Sequence, residues 1–387
     1  MKRLLALSLM ACHPVLCAFS GYILFQTVPS KAGSSPTSPY SLLISGTFPG
    51  FATVANGGHV VNTVSCGTNS IVCPADLVFT ADSGCSAPLA GWDITSYSPS
   101  TGQLTASVAI PTLSNSRAVK IYACVGNSLI TTFQGGFRGA AYDNNYLLAL
   151  HMDETSGTIL HDSTANANDA TKKAAGNPAY TASGQVGAAQ KFLGTANSSN
   201  NDYALFQSLT PATATWTVEF WSDATNYVNA DSVFLRNSSV LPIVFLGYYW
   251  YPAGSLKYFN SYNSATPTPP SLVSPGVFHY VVFARNADSM NVFVDGVAGT
   301  PVTGFGTSPD QFKGLGWDGG PGGPNSFNGI LDEVYYSNVT RSSDYITARF
   351  NNLSSPSTFY TVGPYTTASV SSRSTTRANS QIGLFVF

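Results

Sequence analysis

Short apolar runs, among them "YILFQTV", "YSLLISG", "DLVFTAD", "LTASVAIPTL" and "AVKIYACVG", are separated at close intervals by clusters of Pro, Gly, Asn and Ser. Such runs are too short for amphipathic helices, and their bounding residues are turn formers. They read as strands, and from about Gly21 to Gly139 no helical stripe of useful length interrupts them. The same signature continues in "WTVEFW", where Trp216, Val218 and Phe220 fall on one face of a strand and Thr217, Glu219 and Trp221 on the other. "MNVFVDGV" closes on Asp295-Gly296, a hairpin signal. The expected fold class is all-β, with two β-sandwich domains. A chain of 387 residues with 44% hydrophobic content can bury a core in each.

Charged residues make up 9% of the chain, with 17 basic against 19 acidic side chains and a net charge of −2. That balance offers no electrostatic footprint for nucleic acid or anionic lipid. The opening "MKRLLALSLMACHPVLCAFS" has a basic start, an apolar centre and a small-x-small end at Ala18-Phe19-Ser20, so residues 1–20 read as a secretory signal. Leu9-Met10-Ala11-Cys12 also resembles a lipoprotein cleavage box, against which stand Met10 and the apolar run after Cys12. Pro14 argues against an uncleaved anchor, and no later stretch has spanning length, so no membrane span is expected in the mature chain. The expected location is secreted or cell-surface.

Cys66, Cys73, Cys85 and Cys124 remain after the signal, an even number in an exported chain, which points to disulfides rather than a zinc site. Three connectivities are open. Local closure of Cys66 with Cys73, leaving Cys85 with Cys124, is favoured.

"SLLISGTFPGFATVANGGHVVN", "DLVFTADSG", "WDITSYSPSTGQLTASVAIPTLS" and "VKIYACVGN" resemble, in order, an uncharacterised domain of unknown function that precedes LamG-like modules in bacterial exported proteins. The resemblance implies an architecture for residues 21–139 and no chemistry. After a Gly-rich junction at 135–146, "LLALHMDETSGTILHDSTANANDAT", "GAAQKFLGTANSSNNDYALF", "ATWTVEFWSDA", "FHYVVFARNADSMNVFVDGVAGT" and "FNGILDEVYYSNVTRSSDYITARFNN" resemble the LamG-like jelly roll of the concanavalin A-like lectin/glucanase superfamily. Residues 140–364 are therefore expected to form that jelly roll. Residues 365–387, rich in Ser and Thr, are expected to be a polar tail.

The chain has three glutamates, Glu154, Glu219 and Glu333, and the last adjoins Asp332 in "NGILDEVYYSN". Strict strand alternation would send Ile330, Asp332, Val334 and Tyr336 to one face and Leu331, Glu333 and Tyr335 to the other. Glycosidases need two carboxyls flanking one bond, and glucanases resembling this fold carry them as Glu-x-Asp-x-Glu on one face. Val334 and Tyr336 stand where the further acids would be, so no catalytic residue is assigned. No G-x-S-x-G occurs, and His59, His151, His161 and His279 sit in no recognisable catalytic context. His279 reads as a packed or rim strand residue.

In "DETSGTILHDSTANANDAT", Asp153, Asp162, Asn166, Asn168 and Asp169 supply oxygen ligands suited to calcium, with Asp162 first, Asn166 and Asn168 after it, and Asp332 joining if its strand faces the loop. The resemblance implies calcium too, because LamG-like and related jelly rolls often bind it near such a loop. The alternative is ordinary turn chemistry. Tyr248, Trp250 and Tyr258 in "FLGYYWYPAGSLKYFNSY", with Trp317 in "GLGWDGGPGG", are the candidate sugar-stacking platform; their alternative is core packing. The expected function is non-catalytic recognition or adhesion, with a glycan or a cell-surface or matrix component as partner. A ligand-free structural protein is the rival, and a glycoside hydrolase ranks third.

Overall fold

The computed structural model describes residues 19–67, 69–136, 138–195, 201–227, 232–236, 244–250, 253–260, 263–265, 268–316 and 326–368. The expected signal segment, apart from its last residues, and most of the expected tail lie outside these ranges, as does Trp317. Among the described residues the chain is built of strands, as the turn-bounded runs require, and no helix is long and apolar enough to cross a membrane.

The first sandwich packs a four-stranded sheet against a three-stranded one. The four-stranded sheet runs in the order Tyr360–Thr367, Gly21–Thr27, Lys120–Val125, Val78–Thr80. The three-stranded sheet runs Tyr40–Thr47, Gln103–Ile110, Trp92–Tyr97. A separate hairpin, Thr63–Cys66 with Ile71–Pro74, is clipped by the Cys66–Cys73 disulfide, and Cys85–Cys124 ties a loop to a central strand. This is the favoured connectivity.

The edge strand Tyr360–Thr367 corrects the expected domain limits. Residues placed at the end of the jelly roll and the start of a tail instead pair antiparallel with Gly21–Thr27, from Thr27 opposite Tyr360 to Gly21 opposite Thr367. The jelly roll is thus an insertion in the first sandwich. Tyr360 is buried, meets Phe25 edge-on at 5.4 Å, and bonds both the N–H (2.9 Å) and the carbonyl (3.0 Å) of Ser45 across the sandwich.

The jelly roll consists of two large sheets. Strands Thr215–Ala224, His279–Asn286, Ser289–Val294 and Gly329–Ser337 lie in one, and Ala204–Leu209, Val244–Trp250, Ala253–Asn260 and Phe312–Leu315 in the other. Trp216, Val218 and Phe220 fill the core between them, as alternation anticipates. The opposite face is not solvated: Trp221 joins a second core continuous with the first sandwich, and Glu219 is fully buried.

The cover over that face is a helix, Ser343–Ser354, that the strand-dominated reading missed. Ser342 caps it by accepting the Tyr345 N–H at 3.2 Å, and Asp344 complements the positive end of its dipole. Tyr345, Ile346, Ala348, Arg349, Asn352 and Leu353 form its buried stripe. Asn352 bonds the N–H and carbonyl of Leu43, and Arg349 donates to the Ser41 carbonyl, so the helix joins the two sandwiches.

Candidate functional site

Where the sandwiches meet beside this shared core, a cleft of about 690 Å³ stays open. The clipped hairpin contributes Asn69 and Ser70, and the three-stranded sheet contributes Thr95, Ser96, Gln103 and Thr105. The jelly roll supplies Asp153, Glu154 and the hydroxyl-rich turn that follows, with Tyr180 at the rim. Asn69 Nδ2 donates to Asp153 Oδ1 at 2.8 Å, a bond that crosses from one sandwich to the other. Tyr180 is 41% exposed, enough for one ring face to receive a ligand.

Beneath the cleft lies a charged cluster created by a β-bulge. Trp221 pairs with Asp332 and Glu219 with Tyr335, so the strand Gly329–Ser337 carries an extra residue, and Glu333 takes a left-handed φ of 50°. Alternation is interrupted there, which corrects the expectation that Asp332 and Glu333 face opposite sides. Leu331, Val334 and Tyr336 enter the jelly-roll core. Asp332 turns to the Val186 N–H (2.8 Å) and Glu333 to His151 Nδ1 (2.9 Å), both on the side of the shared core.

His151 is held on both edges. Nδ1 meets Glu333; Nε2 meets the Tyr142 hydroxyl at 2.8 Å, with Asp93 of the first sandwich 3.6 Å away. Burial alone would lower its pKa, but the facing Tyr142, Glu333 and Asp93 outweigh it and hold the imidazole protonated well above its ordinary range. Asp93 keeps a lowered pKa despite burial, because His151 stands beside it. Burial, against the nearby His151 charge and with the neighbouring acids, pushes Asp153 up to about 7. Burial and the adjacent Glu333 raise Asp332 well above the carboxylate range.

Three of these shifts have one sign. In the folded state His151, Asp153 and Asp332 each hold a proton that the unfolded chain has already released at the same pH. The stability from His151 is complete below about pH 6.5 and is lost as pH rises through its folded pKa. For Asp153 and Asp332 the loss begins near the ordinary carboxyl value of about 4 and, for Asp153, is complete near 7. Asp93 acts oppositely, but only at pH values below that range. The melting temperature should therefore be highest near about pH 4 and lower at pH 8, with the lowered pKa of His59, caused by its partial burial, opposing the fall only below about pH 6.5. A thermal melting series that rises over that interval would contradict the assigned protonation states.

The loop proposed for calcium is tied into the backbone. The Asp162 carboxylate accepts from Ala149 N–H (2.9 Å), Thr164 N–H (2.9 Å), Thr164 Oγ1 (2.7 Å) and Asn168 N–H (2.8 Å). Asn166 and Asn168 donate their amides to the carbonyls of Tyr146 and Leu147, both at 2.9 Å. Asp332 bonds elsewhere and does not join them. Among the described residues no group of three or more His, Cys, Asp or Glu side chains is arranged to hold a metal.

Tyr248 and Tyr258 are a correction. Both are core residues, 1% and 0% exposed, with Tyr248 bonded to Ser222 at 2.6 Å and Tyr258 to Asp310 at 2.7 Å. Alternation from Leu246 and Leu256 points them inward, so no sugar can reach their faces. Trp250 ends the strand Val244–Trp250, and its side chain lies outside the described residues. The cleft residues Asn69 and Tyr180 carried no local signal, because their meaning depends on pairing across two domains. Asp153 and Glu154 did lie in the loop whose acid and amide content had drawn attention.

Residues 197–347 match the model of the concanavalin A-like lectin/glucanases superfamily. This agrees with the jelly-roll sandwich described above. Among solved structures, domain 4 of AbnA, an extracellular arabinanase from Geobacillus stearothermophilus in complex with arabinotriose, is 16% identical. It covers 52% of this chain and 97% of its own, with a TM-score of 0.43. A SAP-like pentraxin from Limulus polyphemus is 16% identical over 41% of this chain and 78% of its own, with a TM-score of 0.33. The binding domain of Paraclostridial Mosquitocidal Protein 1 is 13% identical over 54% and 52%, with a TM-score of 0.38. No curated protein matches the sequence.

Proposed function

We propose that the protein is an exported carbohydrate-recognition module that holds a glycan in the cleft between its sandwiches. The observation that carries this reading is the cleft's composition. Hydroxyl, amide and carboxyl groups converge on a space of about 690 Å³, with one exposed aromatic ring at the rim. Sugars are recognised by such hydrogen-bonding groups together with stacking of their C–H faces on an aromatic body. The superfamily match supports a carbohydrate ligand for the chain; it covers residues 197–347, whereas the cleft is lined by residues between 69 and 188.

Recognition is assigned rather than cleavage because the glutamate that lines the cleft and the one beneath it each already hold a protein partner through one carboxylate oxygen. Glu154 Oε1 accepts the His161 N–H at 2.6 Å, and Glu333 is paired with His151. A rigid surface spacer is the second reading, favoured by the shared core that fuses the two sandwiches.

A glycan array on the purified protein should identify binders. For the best of them, Tyr180→Ala is expected to weaken affinity about tenfold by calorimetry, which corresponds to about 1.4 kcal/mol. Asn69→Ala should weaken it by a similar factor. Absence of any binder, or binding indifferent to both substitutions, would remove the cleft as the recognition site and leave the spacer.

A further inference from the structure

On the jelly roll, apart from the cleft, three side chains that no local motif links come into register. The strand His279–Asn286 begins at His279, and Asp295 lies at the hairpin turn that follows the neighbouring strand. The Asp295 N–H donates to the Tyr280 carbonyl at 2.9 Å, and Asp295 Oδ1 accepts the Tyr280 N–H at 3.0 Å. This pairing fixes the carboxylate beside the ring of His279. Asp295 Oδ2 is 2.7 Å from His279 Nδ1, and Ser274 Oγ is 3.2 Å from His279 Nε2.

The tautomer follows from the partners. A carboxylate only accepts, so Nδ1 carries the hydrogen, and in the neutral imidazole the Nε2 lone pair faces the serine hydroxyl. Ser274 is exposed and lines a concavity of about 380 Å³ with Asn226, Tyr227, Ala253, Leu272 and Val273. Nucleophile, base and orienting acid are thus in the order that defines a serine acyl-transfer site. Such sites are recognised by geometry and roles, not by chain order or flanking motif.

We propose that Ser274, His279 and Asp295 form a serine esterase site for small carboxylic esters whose acyl group fits the neighbouring apolar hollow. Ser274 Oγ bonds to the ester carbonyl carbon as its proton passes to His279 Nε2. The carbon–alkoxy bond then breaks, and the alcohol leaves with that proton. Water next gives a proton to Nε2 and its oxygen to the acyl carbon, and the carboxylic acid departs as the proton returns to Ser274. Asp295 is a positioning residue that holds the imidazole tautomer. Pro275 follows the nucleophile and has no N–H, so the carboxamide of Asn226 at the same hollow is the candidate donor to the oxyanion.

The test uses the full mature chain, a fluorophosphonate probe read by intact mass, and p-nitrophenyl acetate and butyrate hydrolysis. The expected result is one probe adduct on Ser274 by peptide mapping and measurable ester turnover, both lost in Ser274→Ala. Asp295→Asn should lower kcat by about 10²–10⁴-fold with KM little changed, the pattern of a misplaced tautomer rather than a lost fold. Ser274 is exposed, so its alanine variant should retain the parent melting curve. Failure of the native protein to label or turn over, or equal rates in Ser274→Ala, would overturn the proposal. Neither outcome bears on glycan binding in the cleft.

Discussion

Replacing Arg349 with methionine is expected to destabilise the fold by about 3–5 kcal/mol, measured by denaturant unfolding, because it leaves a buried anion uncompensated. Arg349 and Glu219 are both fully buried, with Arg349 Nε 3.8 Å from Glu219 Oε2. The guanidinium also lies 4.6 Å from the centre of the Tyr335 ring and donates to the Ser41 carbonyl at 3.2 Å. Tyr280 donates its hydroxyl to the same carboxylate. The network is incompletely satisfied: Glu219 Oε1, Arg349 Nε and Arg349 Nη2 have no hydrogen-bond partner. That geometry makes a second outcome specific. Adding Glu219→Gln to Arg349→Met should recover a large part of the loss, since the surviving partner no longer carries a charge. If the two losses simply add, the pair is not the source of the effect.

Tyr360→Ala is expected to cost about 3–5 kcal/mol, the range for removing a large buried aromatic side chain. It deletes a ring packed on Phe25 and the hydroxyl that bridges Ser45, at the strand that completes the first sheet. Tyr360→Phe separates the two contributions. It should cost only about 1–3 kcal/mol, the penalty for leaving the Ser45 groups without their partner. A loss below about 1 kcal/mol in the alanine variant would mean that the strand is peripheral to the first sandwich, against the topology described.

The legible part of this molecule is what periodicity controls. The strands, the core face of Trp216, Val218 and Phe220, and the two disulfides followed from alternation, turn residues and cysteine count. Periodicity failed where one residue breaks it. The bulge at Glu333 places two acids on one side, yet nothing in "LDEVYY" marks the extra residue, because the register is set by the partner strand. The helix Ser343–Ser354 was more accessible: Ser342 as cap, Asp344 in the first turn and an apolar spacing to Leu353 are all local signals. The aromatic cluster misled because composition does not say which rings alternation buries, and Tyr248 and Tyr258 fall on the inward side. The cleft and the Ser274–His279–Asp295 chain were out of reach for a different reason: each exists only after separate segments have met.

The pairing of Gly21–Thr27 with Tyr360–Thr367 also decides how the molecule carries tension. Gly21 lies opposite Thr367, so the two chain exits are neighbours at one end of an antiparallel pair. A load applied through the segments flanking this pair pulls the two strands apart from that end, one rung at a time, in the peeling direction. The inserted jelly roll lies outside the loaded path while the pair holds. A protein tethered on both sides would therefore keep its inserted domain slack and the proposed binding cleft undistorted until the first sandwich had opened.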